Sequence, residues 1–115
     1  MKQDQTLKAD AGKLQMRLLF AYLWGPLAQV CAVLTFGAQK YSANSCQSVE
    51  RERNWDALYR HLSAFHSGVC KDKESGLHHL AHAACNILFL LWFETKDQTL
   101  TRFDTPPVGR RNKPQ

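Results

Sequence analysis

Glu74-Ser75-Gly76-Leu77-His78-His79-Leu80-Ala81-His82-Ala83-Ala84-Cys85-Asn86 opens a run that stays apolar as far as Phe93. Placed on a helix, His79, His82 and Asn86 fall within roughly 60° of one another. The rest of that wheel is Leu80, Ala84, Ile87, Leu88, Leu91 and similar residues. A helix apolar on nearly every side is buried, so a polar stripe along it must be paired or must line a cleft. The stripe is therefore the first place to look for chemistry. The helix is expected to be capped at Ser75 and to run to about Glu94.

Helical spacing extends outward from this segment in both directions. Leu14, Leu18, Leu19, Tyr22 and Leu23 recur at that spacing between Lys13 and Trp24, predicting a first helix. Gly25-Pro26 stops it, and Pro26 suits the first turn of a second helix carrying Leu27, Val30, Cys31, Leu34 and Ala38. That helix should end near Lys40-Tyr41. Ser42 to Arg53 is polar and without period, and reads as a loop. Asn54 is a plausible cap for a third helix with Trp55, Leu58, Leu62 and Phe65 on one face, closed by Gly68. No strand pattern and no internal repeat is visible. The expectation is an all-α, four-helix domain over residues 13–95, with a polar arm over 1–12. Residues 96–115, with Pro106-Pro107, Gly109 and a basic end, read as a disordered tail.

Composition fits one small globular domain: 115 residues, 44% of them hydrophobic. The net charge is +5. Arg102, Arg110, Arg111 and Lys113 all lie in the tail, and without them the body is near neutral. No stable nucleic-acid binding is expected from such a body. Cys31, Cys46, Cys70 and Cys85 show no CxxC spacing, and two lie in apolar helical stretches where free thiols act as small hydrophobes. The polar N-terminal residues do not form a signal peptide, so a reducing cytoplasm is expected. Leu18 to Phe36 is long enough to test as a membrane span, with Gln29 its only strongly polar side chain. Gly25-Pro26 at its middle breaks the backbone ladder and favours two helices over one span.

Helical bundles build metal sites from imidazoles and carboxylates at i, i+3 or i+4 on facing helices. His79 and His82 are such an i, i+3 pair, and His82 with Asn86 is i, i+4. Glu74, with Asp72 near it, lies at the mouth of the helix. Neutral imidazole suits transition metals, whereas carboxylate and amide oxygens suit magnesium or manganese. The plainer alternative is a buried polar ladder that only hydrogen-bonds to its neighbours. On the third helix Arg60, next to His61, can meet a phosphate bidentately, or be an ordinary surface arginine. Phe36-Gly37-Ala38-Gln39-Lys40-Tyr41 sets two aromatics and a lysine at a helix end, a pattern suited to a base and a phosphate.

Four blocks in order carry a resemblance: Lys8-Ala9-Asp10-Ala11-Gly12-Lys13, Leu34-Thr35-Phe36-Gly37-Ala38-Gln39-Lys40-Tyr41, Ala57-Leu58-Tyr59-Arg60-His61-Leu62, and Glu74 through His82. They resemble the phage-encoded dATP/dGTP pyrophosphohydrolases, related to the all-α MazG-like nucleotide pyrophosphohydrolases. The resemblance covers roughly residues 8 to 94. It implies a MazG-like bundle, commonly a homo-oligomer, in a phage or prophage protein of a bacterial host. The implied reaction is attack of water on the α-phosphorus of a deoxypurine triphosphate, with Mg2+ or Mn2+, giving monophosphate and pyrophosphate.

Carried onto this chain, the expected metal residues are Glu74, His79, His82 and Asn86, with Glu74 and His82 catalytic and Asp72 in reserve. Lys13, Lys40 and Arg60 are expected at phosphate, and Phe36 or Tyr41 at the base. The chain departs from the pattern in three places. The paired ExxE and ExxD carboxylates of MazG-like relatives are absent, Cys46 stands where a tryptophan is usual, and Gly68-Val69 replaces Gly-Glu. A neutral valine cannot supply the charge of a carboxylate to a magnesium site. Two rival readings follow: a nucleotide- or protein-binding helical module without turnover, and a small membrane-associated protein using Leu18 to Phe36.

Overall fold

The computed structural model describes residues 12–40 and 51–96. The arm as far as residue 11, the segment 41–50 with Tyr41 and Cys46, and the tail from 97 onward lie outside them. The described residues form four helices: α1 (Met16–Tyr22), α2 (Trp24–Lys40), α3 (Arg51–His66) and α4 (His79–Thr95). An isolated antiparallel bridge joins Lys71 and His78, and no strand is present among the described residues. The fold is all-α.

The first helix is expected to stop at Gly25-Pro26, but the break falls at Leu23, and Gly25-Pro26 lie within the next helix. Helix α1 ends at Tyr22, α2 opens at Trp24 with Pro26 in its first turn, and the two axes bend by 86°. Gln15 caps α1 without a side-chain bond, so this helix is shorter than the stretch from Lys13 to Trp24 that spacing predicts. No single described helix is long and apolar enough to cross a membrane.

Two predicted helix starts are corrected. Helix α3 is already helical at Arg51, so residues 51–53 are not loop and Asn54 is not a cap. Asn54 is instead 2% exposed inside the helix, where its Oδ1 accepts from Asn86 Nδ2 at 3.2 Å. A polar residue before an apolar period reads as a cap until a polar partner on another helix is known. At α4 the cap is His78, whose Nδ1 accepts from the Leu80 N–H at 3.0 Å, and not Ser75. Gly68, at φ +105°, closes α3 as expected.

Helix α4 packs chiefly along α3 and also on α2, while α1 touches α2. Val33, Ala81 and Cys85 form the shared core, with Val30, Leu77 and Phe89 packed against them. Alanine and cysteine at this contact let the α2 and α4 backbones approach, and Cys85 Sγ lies 3.5 Å from the Val30 carbonyl. Cys31, Cys70 and Cys85 are free thiols, and Cys85 alone of these is buried. Leu58 is buried, and its truncation to alanine should cost about 2–5 kcal/mol. The α3–α4 seam thus forms the rigid frame for the polar groups between them.

Candidate functional site

Between α3 and α4 the chain folds into a tight connector that fixes the side chains of Asp72 and Ser75. Its ends are tied by Asp72 N–H to Leu77 O, Gly76 N–H to Asp72 O, and His79 N–H to Cys70 O, each at 2.8 Å. Gly76 takes φ +74°, a left-handed conformation that glycine adopts without strain. The Asp72 carboxylate turns back on its own backbone, and its Oδ2 accepts from the N–H groups of Glu74 and Ser75, both at 3.0 Å. This is the local turn that a short acidic side chain favours. Ser75 Oγ accepts from Leu77 N–H at 3.1 Å and lies 2.7 Å from His82 Nε2.

His61, one turn before the end of α3, meets the start of α4 here. Its Nδ1 is 2.8 Å from Nδ1 of His79, so one of the two rings donates and the other accepts. His61 also stacks on His82, with centroids 4.5 Å apart and planes 9° apart. His79 is buried, while His61 and His82 are half-buried. One donor atom each from His61, Asp72 and His79 lies within 4.8 Å of the other two, an arrangement able to hold a metal ion.

Burial lowers the His61 pKa to about 4, helped by the neighbouring His82 and His79 and opposed by Asp72. His82 is also lowered by burial. Asp72 opposes that shift, His79 adds to it, and Glu74 opposes it. Burial raises the Asp72 carboxyl, but the Ser75 N–H, the charge of His82 and the Glu74 N–H outweigh it and leave the pKa below its usual value. Near neutral pH the site therefore offers His61 and His82 uncharged beside an ionised Asp72, the protonation states that metal ligation requires.

The expected residues separate on this geometry. His79 belongs to the three-donor cluster, and Asp72, held in reserve on sequence, takes a full place in it. His82 stands beside the cluster, stacked on His61 and bonded to Ser75, rather than among the three donors. Glu74 lies exposed in the connector, close enough for its charge to act on His82. Asn86 faces Asn54 further along the seam. Arg60 is exposed on α3 beside His61, and its charge acts on that ring. Lys13 is exposed ahead of α1, Phe36 is half-buried on α2, and Lys40 ends α2.

His61 is the residue that sequence reasoning missed. Its signal was the Arg60-His61 pair inside a matching block, but pairing across helices leaves no trace in one helix's period. A shallow groove of about 260 Å³ lined by Pro26, Gln29, Val30, His78, Leu80, Ala81 and Ala84 lies between α2 and α4. It does not include the three donors.

Residues 3–102 match the family described as dATP/dGTP diphosphohydrolase, N-terminal. The chain belongs to this family. It is also 36% identical over 86 residues to the dATP/dGTP diphosphohydrolase of Salmonella phage PMBT28. That alignment takes in 75% of this chain but 29% of the phage protein, so the chain spans under a third of its relative's length. No solved structure matches the chain.

Proposed function

We propose that the chain is a metal-dependent pyrophosphohydrolase of deoxypurine nucleoside triphosphates, releasing the monophosphate and pyrophosphate from dATP or dGTP in the cytoplasm of a phage-carrying host. The observation that carries this reading is the convergence of His61, Asp72 and His79 in a chain of this family. These three residues would hold a divalent cation. When bound, such a cation neutralises polyphosphate charge and makes a ligated water more acidic. The donor chemistry fits: two imidazoles, with burial lowering the pKa of His61, and one carboxylate whose Oδ2 carries both of its backbone bonds.

The remaining roles belong to this chain's own side chains. His82, kept uncharged by burial, can accept a proton, and Ser75 fixes its ring. Glu74, on the rim, favours the imidazolium that results. Arg60, exposed beside His61, is the first candidate for phosphate, with Lys13 and Lys40 as further candidates and Phe36 or Tyr41 for the base. Asn86 serves the α3–α4 seam in this reading rather than the metal. The test is pyrophosphate release from dATP and dGTP with divalent cations. Activity should be lost by on the order of 100-fold or more in His79→Ala and His82→Ala. Wild-type release no greater than that of His82→Ala would refute the hydrolase.

One observation favours a second reading, nucleotide binding with weak or no turnover. Val69, half-exposed just after α3, stands where the resemblance places a carboxylate. In that case dGTP raises the melting temperature without product, and Val69→Glu is expected to increase turnover. The exposed apolar residues of α4 (Leu80, Ile87, Leu88 and Leu91) further support a homodimer as the working unit.

A further inference from the structure

The donors between α3 and α4 bear on which cation the site takes. Magnesium is a hard ion that binds through carboxylates and retained waters, whereas imidazole nitrogen suits first-row transition ions. The cluster contains two imidazoles and a single carboxylate. Glu74, whose charge reaches His82, is exposed, and position 69 is valine. Glu94 lies toward the far end of α4, 3.6 Å from Arg51.

The spacing of the nitrogens agrees with this chemistry. Two nitrogens each about 2.0–2.1 Å from one ion stand roughly 2.9 Å apart at right angles and roughly 3.4 Å apart at the tetrahedral angle. The two Nδ1 atoms are 2.8 Å apart, so the pair needs to part only slightly to share an ion. The proton now shared between them can move to Nε2 of the ring that carries it, a tautomer change that presents both Nδ1 lone pairs with no net proton release. His79 is buried, and its backbone is tied to Cys70. His61 is held by its stack on His82, which is in turn bonded to Ser75. Supporting contacts of this kind orient metal-binding imidazoles. Asp72 Oδ2 is taken by two backbone N–H groups, which leaves Oδ1 to complete the set.

We infer that this site selects a first-row transition dication over magnesium, with His61 and His79 as nitrogen ligands and Asp72 as the oxygen ligand. The inference rests on the reading that the cluster is the metal site of the proposed hydrolase, and deepens it by naming the class of ion.

The test uses the full chain, stripped with a chelator that is then removed, and titrated separately with Mg2+, Mn2+ and Co2+. Thermal shift and calorimetry should show Mn2+ and Co2+ binding tighter than Mg2+ by on the order of 100-fold. Co2+ should give visible absorption bands that disappear in His61→Gln and in His79→Gln. His66→Gln, at the exposed end of α3, should keep them. Circular dichroism of each variant establishes that the helices remain, and nitrogen couplings in the Mn2+ paramagnetic resonance of wild type give a readout independent of any variant.

Equal affinity for Mg2+, or Co2+ bands unchanged in both histidine variants, overturns the inference. Histidine-dependent Co2+ binding without pyrophosphate release sinks the hydrolase and leaves the metal assignment standing. Mg2+-supported release from a chain whose histidines do not bind metal does the reverse.

Discussion

At the scale of single residues, His61 governs both how the site is charged and how much of it could be read in advance. Its pKa falls from 6.5 to about 4 because the folded chain buries the ring beside two other imidazoles. The unfolded chain therefore takes up the proton first. A lowered pKa contributes stability that is fully present above the unfolded value and is lost as pH falls through the folded one. Without metal, the melting temperature should decline between about pH 6.5 and pH 4, and the decline should be shallower in His61→Gln. Asp72, also lowered, adds a further loss below its unfolded value of 3.8. A melting temperature flat from pH 6.5 to 4 would contradict the half-buried, uncharged ring. The polar stripe of α4 was legible because His79 and His82 share one helical face. His61 was not, since its role depends on α3 lying against that face, and periodicity within α3 carries no information about its neighbour.

At the scale of elements, the connector between α3 and α4 and the seam beyond it each make a measurable claim. Gly76 at φ +74° has open space where a Cβ would stand, so substitution there meets backbone strain but no clash. Gly76→Ala should therefore cost about 1–2 kcal/mol and loosen the proposed metal site along with the turn. A neutral result in denaturant unfolding would show that the turn is not held as described. Further along the seam, Asn54 Nδ2 and Asn86 Oδ1 are buried without partners, although the two side chains share one bond. Replacing one asparagine strands the other, so Asn54→Leu should destabilise by about 1–3 kcal/mol, whereas the double change with Asn86→Leu should recover much of that. Additive losses in that cycle would refute a coupled pair. Gly68 was readable as the close of α3, and Pro26 as a first-turn residue of α2, because their backbone chemistry is local. The starts of α3 and α4 were not, because Asn54 and Ser75 have capping side chains but spend them elsewhere, Asn54 on Asn86 across the seam and Ser75 on the Leu77 N–H and His82.

At the scale of the whole molecule, many large apolar side chains of the described residues are exposed. The core centred on Val33, Ala81 and Cys85 is small. Leu80, Ile87, Leu88 and Leu91 on α4, and Leu18, Phe20, Leu23 and Trp24 around the α1–α2 bend, are each more than a third exposed among the described residues. Sequence predicted that the α4 wheel would be apolar nearly all round and therefore buried. One side of it meets α3 and α2, and the rest does not, so the prediction of burial is met only where a partner helix exists. A second copy is the simplest cover for the remainder, since a two-fold interface places the same patch on both sides. A stable interface buries roughly 800 Å² per partner, and at about 25 cal/mol per Å² of apolar area the gain would be substantial. Light scattering on the purified chain should then give about twice its 13.1 kDa mass. Leu88→Glu combined with Leu91→Glu should return it to a monomer that keeps its helices and its Co2+ bands, because neither residue is among the metal donors. A wild-type mass equal to one chain would show that this face is covered by something other than a second copy.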